Sequence, residues 1–80
     1  MSVENRYLLE ILTLSQRMLE VAHKGTEVRS DTESGIVFGT LHDYAMHLRK
    51  LSLEQIKRHR QMGWFDEDDE KALDFYRGTL

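Results

Sequence analysis

The chain of 80 residues contains no cysteine and no proline. Lack of cysteine excludes disulfides, a thiolate nucleophile and a Cys-ligated zinc site. Lack of proline leaves glycine to mark the ends of helices, and there are five glycines. No stretch reaches the ~18 consecutive apolar residues of a membrane helix. A net charge of −3 and a pI near 5.7 give no overall attraction to nucleic acid or anionic lipid. The sequence has neither a Gly-x-Ser-x-Gly nucleophile elbow nor a phosphate-binding loop. Glu4 precedes the first apolar run and no small-residue cleavage site follows it, so no signal peptide is read and a cytoplasmic location is expected.

What is present is helical. At 40% hydrophobic and 31% charged, residues 1–80 are too apolar for a disordered tail and read as one small domain. Leu8, Ile11, Leu12, Ser15, Leu19 and Ala22 follow the spacing of one helix face, and Tyr7, Leu14, Met18 and Val21 make a second row beside it. Together the rows span about half the circumference, more than a two-position coiled-coil seam requires. This helix is expected over 3–23, with Gly25 as its C-cap and His23 and Lys24 complementing its dipole.

Ser30 and Glu33 have capping-box spacing, with Asp31 as a competing cap, and predict a second helix over 33–62. Its stripe reads Val37, Phe38, Leu41, Tyr44, Ala45, Leu48, Leu51, Ser52, Ile56 and His59. Gly35 and Gly39 share a different face with Met46 and Leu53, where small residues would let another helix approach closely; these four form a candidate interaction face. Gly63 is the expected stop. Trp64 and Phe65 are expected to plug the end of the bundle, and Asp66 to cap a third helix over 67–77. That helix would turn Ala72, Leu73, Tyr76 and Leu80 inward and close at Gly78.

Polar clusters suggest several chemistries. Glu20 and His23 have the Glu-x-x-His spacing of di-iron bundles, but that site needs the motif twice, and the second helix offers only Asp43 and His47. No metal or other cofactor is therefore expected. Asp43, His47 and Glu54 read as surface charge pairing, since nothing near them resembles a nucleophile or an oxyanion donor. His59 falls on the apolar stripe and reads as a hydrogen-bonded core histidine. Arg49, Lys50, Lys57, Arg58 and Arg60 form a basic segment that would suit a nucleic-acid accessory protein. Nucleic acid is nonetheless disfavoured, because no aromatic interleaves with these cations and the acidic run from Asp66 follows closely.

A small dimeric all-helical enzyme is a further alternative. The segment Leu14-Ser15-Gln16-Arg17-Met18-Leu19-Glu20-Val21-Ala22, with Lys24, is similar to the first helix of the small helical chorismate mutases. That resemblance implies a dimer with a charged site between helices, but the arginine-bearing segment expected ahead of it is missing.

The leading expectation is non-enzymatic. A chain this short buries only about 60–65% of the surface its unfolded form exposes, and one hairpin covers only part of the first helix's apolar arc. The expected architecture is all-α: an antiparallel hairpin plus a short C-terminal helix, pairing as a homodimer into a four-helix bundle whose ends the third helices cap. Tyr7, Ile11, Leu14, Met18 and Val21 would form the dimer core, and protein–protein interaction would be the function. No membrane association is expected.

Overall fold

The computed structural model describes the backbone of residues 2–79 and the side chains of residues 2–76. Helix α1 spans Val3–Val28, α2 Thr32–Gln61 and α3 Glu67–Thr79. There is no strand among the described residues. Leu80 lies outside them.

Helix α1 starts where Ser2 accepts a hydrogen bond from the Asn5 amide at 3.1 Å. It does not stop at Gly25. That residue keeps helical geometry, Thr26 donates to the Ala22 carbonyl inside the helix at 2.8 Å, and the helix continues to Val28. A side chain at position 25 would overlap the ring of Phe38 on α2, so this glycine serves close packing, not chain reversal.

The turn is correspondingly short, and Asp31 prevails over Ser30 as the cap of α2. Its carboxylate accepts from the Ser34 amide at 2.7 Å. That backbone hydrogen bond, and then one from the Ser34 side chain, hold the Asp31 carboxyl below its usual range.

Gly63 ends α2 as expected. It has a positive φ of 75°, the Trp64 amide donates to the His59 carbonyl at 2.8 Å, and the Gly63 amide donates to Arg60 at 3.1 Å. These two bonds make a Schellman motif. Asp66 and Asp69 then cap α3 reciprocally, each carboxylate accepting from the other's amide at 2.9 and 3.1 Å. Helix α3 runs on past Gly78 to Thr79.

Helices α1 and α2 form the antiparallel hairpin, with Asn5 beside His59 at its open end and His23 stacked on His42 nearer the turn. Its core is thin. Leu9, Leu12, Ile56 and Leu73 are its buried cluster, with Leu8, Leu53, Phe65, Ala72 and Tyr76 packed around them. Burial, and then the nearby Glu10 carboxylate, raise the Tyr76 phenol above its ordinary value.

Helix α3 lies along a side of the hairpin and does not cap its end: Asp69 bonds to Asn5, while Phe75 and Tyr76 line a hollow with Gln16 and Glu20 further along α1. Phe65 joins the core, but Trp64 stays more than half exposed, set edge-on against the His59 ring at 5.1 Å. Its backbone, not its ring, is the buried contact.

A polar clamp fastens this open end. Asn5, His59 and Asp69 are all buried. The Asn5 amide donates to the Trp64 carbonyl at 2.7 Å and to Asp69 at 3.0 Å, so its oxygen is left to accept from His59 Nδ1 at 2.6 Å. His59 Nε2 lies 3.4 Å from Glu4 Oε1. One asparagine thus ties the start of α1, the end of α2 and the start of α3 together.

Candidate interaction face

The residues that face across the hairpin are small or polar more often than bulky. Ala22, Ala45, Ser15 and Ser52 are buried there, and both serine hydroxyls are satisfied by carbonyls of their own helices. Small side chains let the two helices approach closely. Arg49 sits on the same stripe, with its Nε buried and without a hydrogen-bond partner.

A second row runs alongside each stripe. On α1 it is Tyr7, Ile11, Leu14, Met18, Val21, Gly25 and Val28; on α2 it is Val37, Leu41, Tyr44, Leu48 and Leu51. Spacings alternate between four and three in both, which is the repeat of a coiled-coil seam. The expected α2 stripe therefore divides. Ala45, Ser52, Ile56 and His59 are buried, whereas Val37, Tyr44, Leu48 and Leu51 point outward. Tyr7 and Leu14 are each 60% exposed, Val37 64% and Tyr44 65%. Val21 and Val28 are exposed too, while Ile11, Met18 and Leu41 are half-buried.

The two outer rows emerge on one face. Each outer residue comes one position before a residue of the interhelical stripe: Leu14 before Ser15, Val21 before Ala22, Val37 before Phe38, Tyr44 before Ala45, Leu51 before Ser52. One residue back is a turn of about 100° around the helix axis. The helices run in opposite directions, so the backward step turns α1 and α2 in opposite senses when both are viewed from one end. Starting from stripes that face each other, opposite turns bring both rows to the same side. One residue forward leads to the other side, where Leu53 and Leu9 pack with Leu73 of α3.

Other candidate residues converge only in part. Among Gly35, Gly39, Met46 and Leu53, Leu53 packs against the core and the Arg29 side chain lies beside Gly35, while Gly39 and Met46 stay open. Of the basic residues, Arg49 lies on the interhelical stripe and Arg60 pairs with Glu70 of α3 at 2.7 Å. Lys50 and Lys57 are exposed on one row that Arg60 continues, while Arg58 lies on a different face.

Glu20 pairs with Arg17 at 3.2 Å, and His42, not His47, lies near Asp43 at 3.5 Å. Among the described residues no group of His, Cys, Asp or Glu is placed to hold a metal ion. Surface hollows of about 230, 250 and 320 Å³ lie at the turn, beside Phe75 and beside Leu73. The buried ionisable side chains, His59 and Asp69, line none of them.

The sequence reading named the α1 half of this face but missed its α2 half. It also missed Asn5, Leu9 and Asp69 as buried residues. The signal for Asn5 was available: it continues the row of Leu8, Leu12, Ser15, Leu19 and Ala22 by one step.

No protein family, curated protein or solved structure matches this chain. Among the described residues no helix is long and apolar enough to cross a membrane.

Proposed function

We propose that the chain is a non-enzymatic self-association module, in which two hairpins pair through this apolar face into a four-helix bundle. The observation that carries the reading is the placement of two coiled-coil seams, one per helix, on the same uncovered side. That is the surface one half of an antiparallel four-helix bundle presents to the other. A symmetric pair needs no second sequence to match it, because the face is complementary to its own copy.

Shape and area support the same occupant. The radius of gyration is 15.0 Å and the extents are 48 × 19 × 17 Å, whereas a compact domain of this length has a radius of about 12 Å. The chain exposes 5775 Å². A folded monomer of its mass exposes about 5,000 Å² by the usual scaling. The excess is close to the ~800 Å² that each partner contributes to a standard interface.

Sedimentation equilibrium at micromolar concentration tests the proposal. The expected result is twice the chain mass, reverting to a folded single chain in Leu14→Glu/Tyr44→Glu. A well-folded monomer of the unaltered chain under these conditions overturns it.

A further inference from the structure

Resting on that self-association, we infer that the two hairpins pair with their turns at opposite ends, so that α1 lies antiparallel along its own copy and α2 along its own copy.

The charges beside the apolar face distinguish this arrangement from its alternative. On the outer margin of the face, next to the seam, α1 carries Glu10, Arg17 and Lys24, and α2 carries Thr40, His47 and Glu54, all exposed. Heights along the hairpin follow from its cross-contacts. Asn5 lies by His59, Gly25 by Phe38 and His23 by His42, so residues whose numbers add to about 64 share a level.

Two symmetric ways of stacking the faces exist. If the two-fold axis runs along the helices, both turns fall at one end and α1 meets the partner's α2 at equal heights. Glu10 then faces the partner's Glu54, and Arg17 faces the partner's His47. If the axis runs across the helices, the turns fall at opposite ends and each helix meets its own copy. The α1 seam from Tyr7 to Val28 is centred between Arg17 and Met18. About that centre, Glu10 faces the partner's Lys24, and symmetry repeats the pair. Leu14 meets the partner's Val21, and Tyr7 meets the partner's Val28. Arg17 meets its own copy near the axis, where each guanidinium already holds Glu20 at 3.2 Å.

The second arrangement replaces two carboxylate–carboxylate contacts by two opposite-charge pairs on one unbroken seam, with a single Arg17–Arg17 approach at the axis. Flanking charges of this kind set orientation in helical bundles more than they set affinity. Helix α3 packs on the opposite face of the hairpin in both arrangements, with Phe75 and Tyr76 reaching the Glu10 and Arg17 edge of α1 equally in each.

Two measurements on the full chain test this. With no native cysteine, Ser30→Cys gives a single site in the turn for a nitroxide label. Opposite-end turns place the labels about 40 Å apart by helix rise, against less than about 25 Å when the turns are together. A distance near 40 Å supports the inference. A short distance in a sample that sediments as a dimer overturns the inference alone, and a monomer without dipolar coupling overturns the self-association beneath it.

In the opposite-end pair, Glu10→Lys should weaken dimerisation roughly 3- to 10-fold and Glu10→Lys/Lys24→Glu should restore it. Tighter association of Glu10→Lys alone would favour turns at one end, since it would relieve the clash with the partner's Glu54.

Discussion

The two broad sides of the hairpin differ in how they are completed. On one, α3 covers the leucines near the open end, and the buried polar clamp of Asn5, His59 and Asp69 fixes where it sits. On the other, two regular apolar rows, Tyr7 to Val28 on α1 and Val37 to Leu51 on α2, have nothing over them. Buried polar groups that bond to one another allow few alternative arrangements, because a shift breaks several bonds at once, even though Asp69 Oδ1 has no partner here. An apolar heptad seam is more permissive, and its register must come from charges at its margin. The covered side thus fixes the fold within one chain, while the uncovered side, paired as proposed, would take its specificity from the flanking charges of a partner.

The largest expected contrast comes from two leucines on α1. Leu12 is buried at 1% exposure among both long helices and α3, so Leu12→Ala should lower stability by about 2–5 kcal/mol. That is a large share of the 5–15 kcal/mol typical of a domain. Leu14, two residues on, contacts nothing comparable within the chain. As a free surface residue, Leu14→Ala should change stability by less than about 0.5 kcal/mol. Burial in a self-associated bundle would raise its effect to about 1.5–3 kcal/mol per chain and make it depend on protein concentration. Urea unfolding of both variants at micromolar and at hundredfold higher concentration separates the cases. Concentration-independent, near-neutral behaviour of Leu14→Ala would place the two sides on a different footing from the one argued here.

The clamp predicts a smaller but more local effect. Asn5→Ala removes the only side chain that serves His59, Trp64 and Asp69 together, and should lose about 1–3 kcal/mol for the buried groups it strands. The loss should fall first on α3. Hydrogen exchange in α3 should therefore accelerate before that in α1 or α2, with a change in Trp64 fluorescence. Uniform acceleration across all three helices would mean that the clamp is part of the global fold and not a fastening for α3.

These contrasts also explain what the sequence made legible. Helix periods, the Gly63 stop and the Asp66 cap follow from local chemistry and are present in the structure. The outward α1 row was readable because bulky residues occupy it without interruption. On α2 the two rows merged into one apparent stripe, since apolar residues occupy the outer row and Ala45, Arg49 and Ser52 hold the inner one. Inner positions in a close helix pair favour small side chains, so size, not hydrophobicity, marked the interhelical row. Asn5 continues the inner α1 row but its polarity disguised it, and the partners 54 to 64 positions away that let Asn5 and Asp69 be buried are not revealed by any local period.

The smallest effects belong to two glycines that the sequence treats alike and the structure does not. Gly25 and Gly39 both lie inside long helices, where glycine is about 0.8–1 kcal/mol less favourable than alanine. At Gly25 a methyl group would overlap the Phe38 ring, a half-buried aromatic at the helix interface that would have to be displaced. Overpacking of this kind typically loses about 1–3 kcal/mol, so Gly25→Ala should be destabilising despite its better helix propensity. At Gly39 nothing lies within 4 Å of the added carbon. That position is on the side occupied by α3 but beyond its reach, with Met46 exposed about two turns further along. Gly39→Ala should therefore raise the thermal midpoint by the propensity difference alone, up to about 1 kcal/mol, and leave self-association unchanged. A loss of association in Gly39→Ala would mean that the open half of the α3 side also meets a partner, and would end the division of the hairpin into one finished side and one unfinished side.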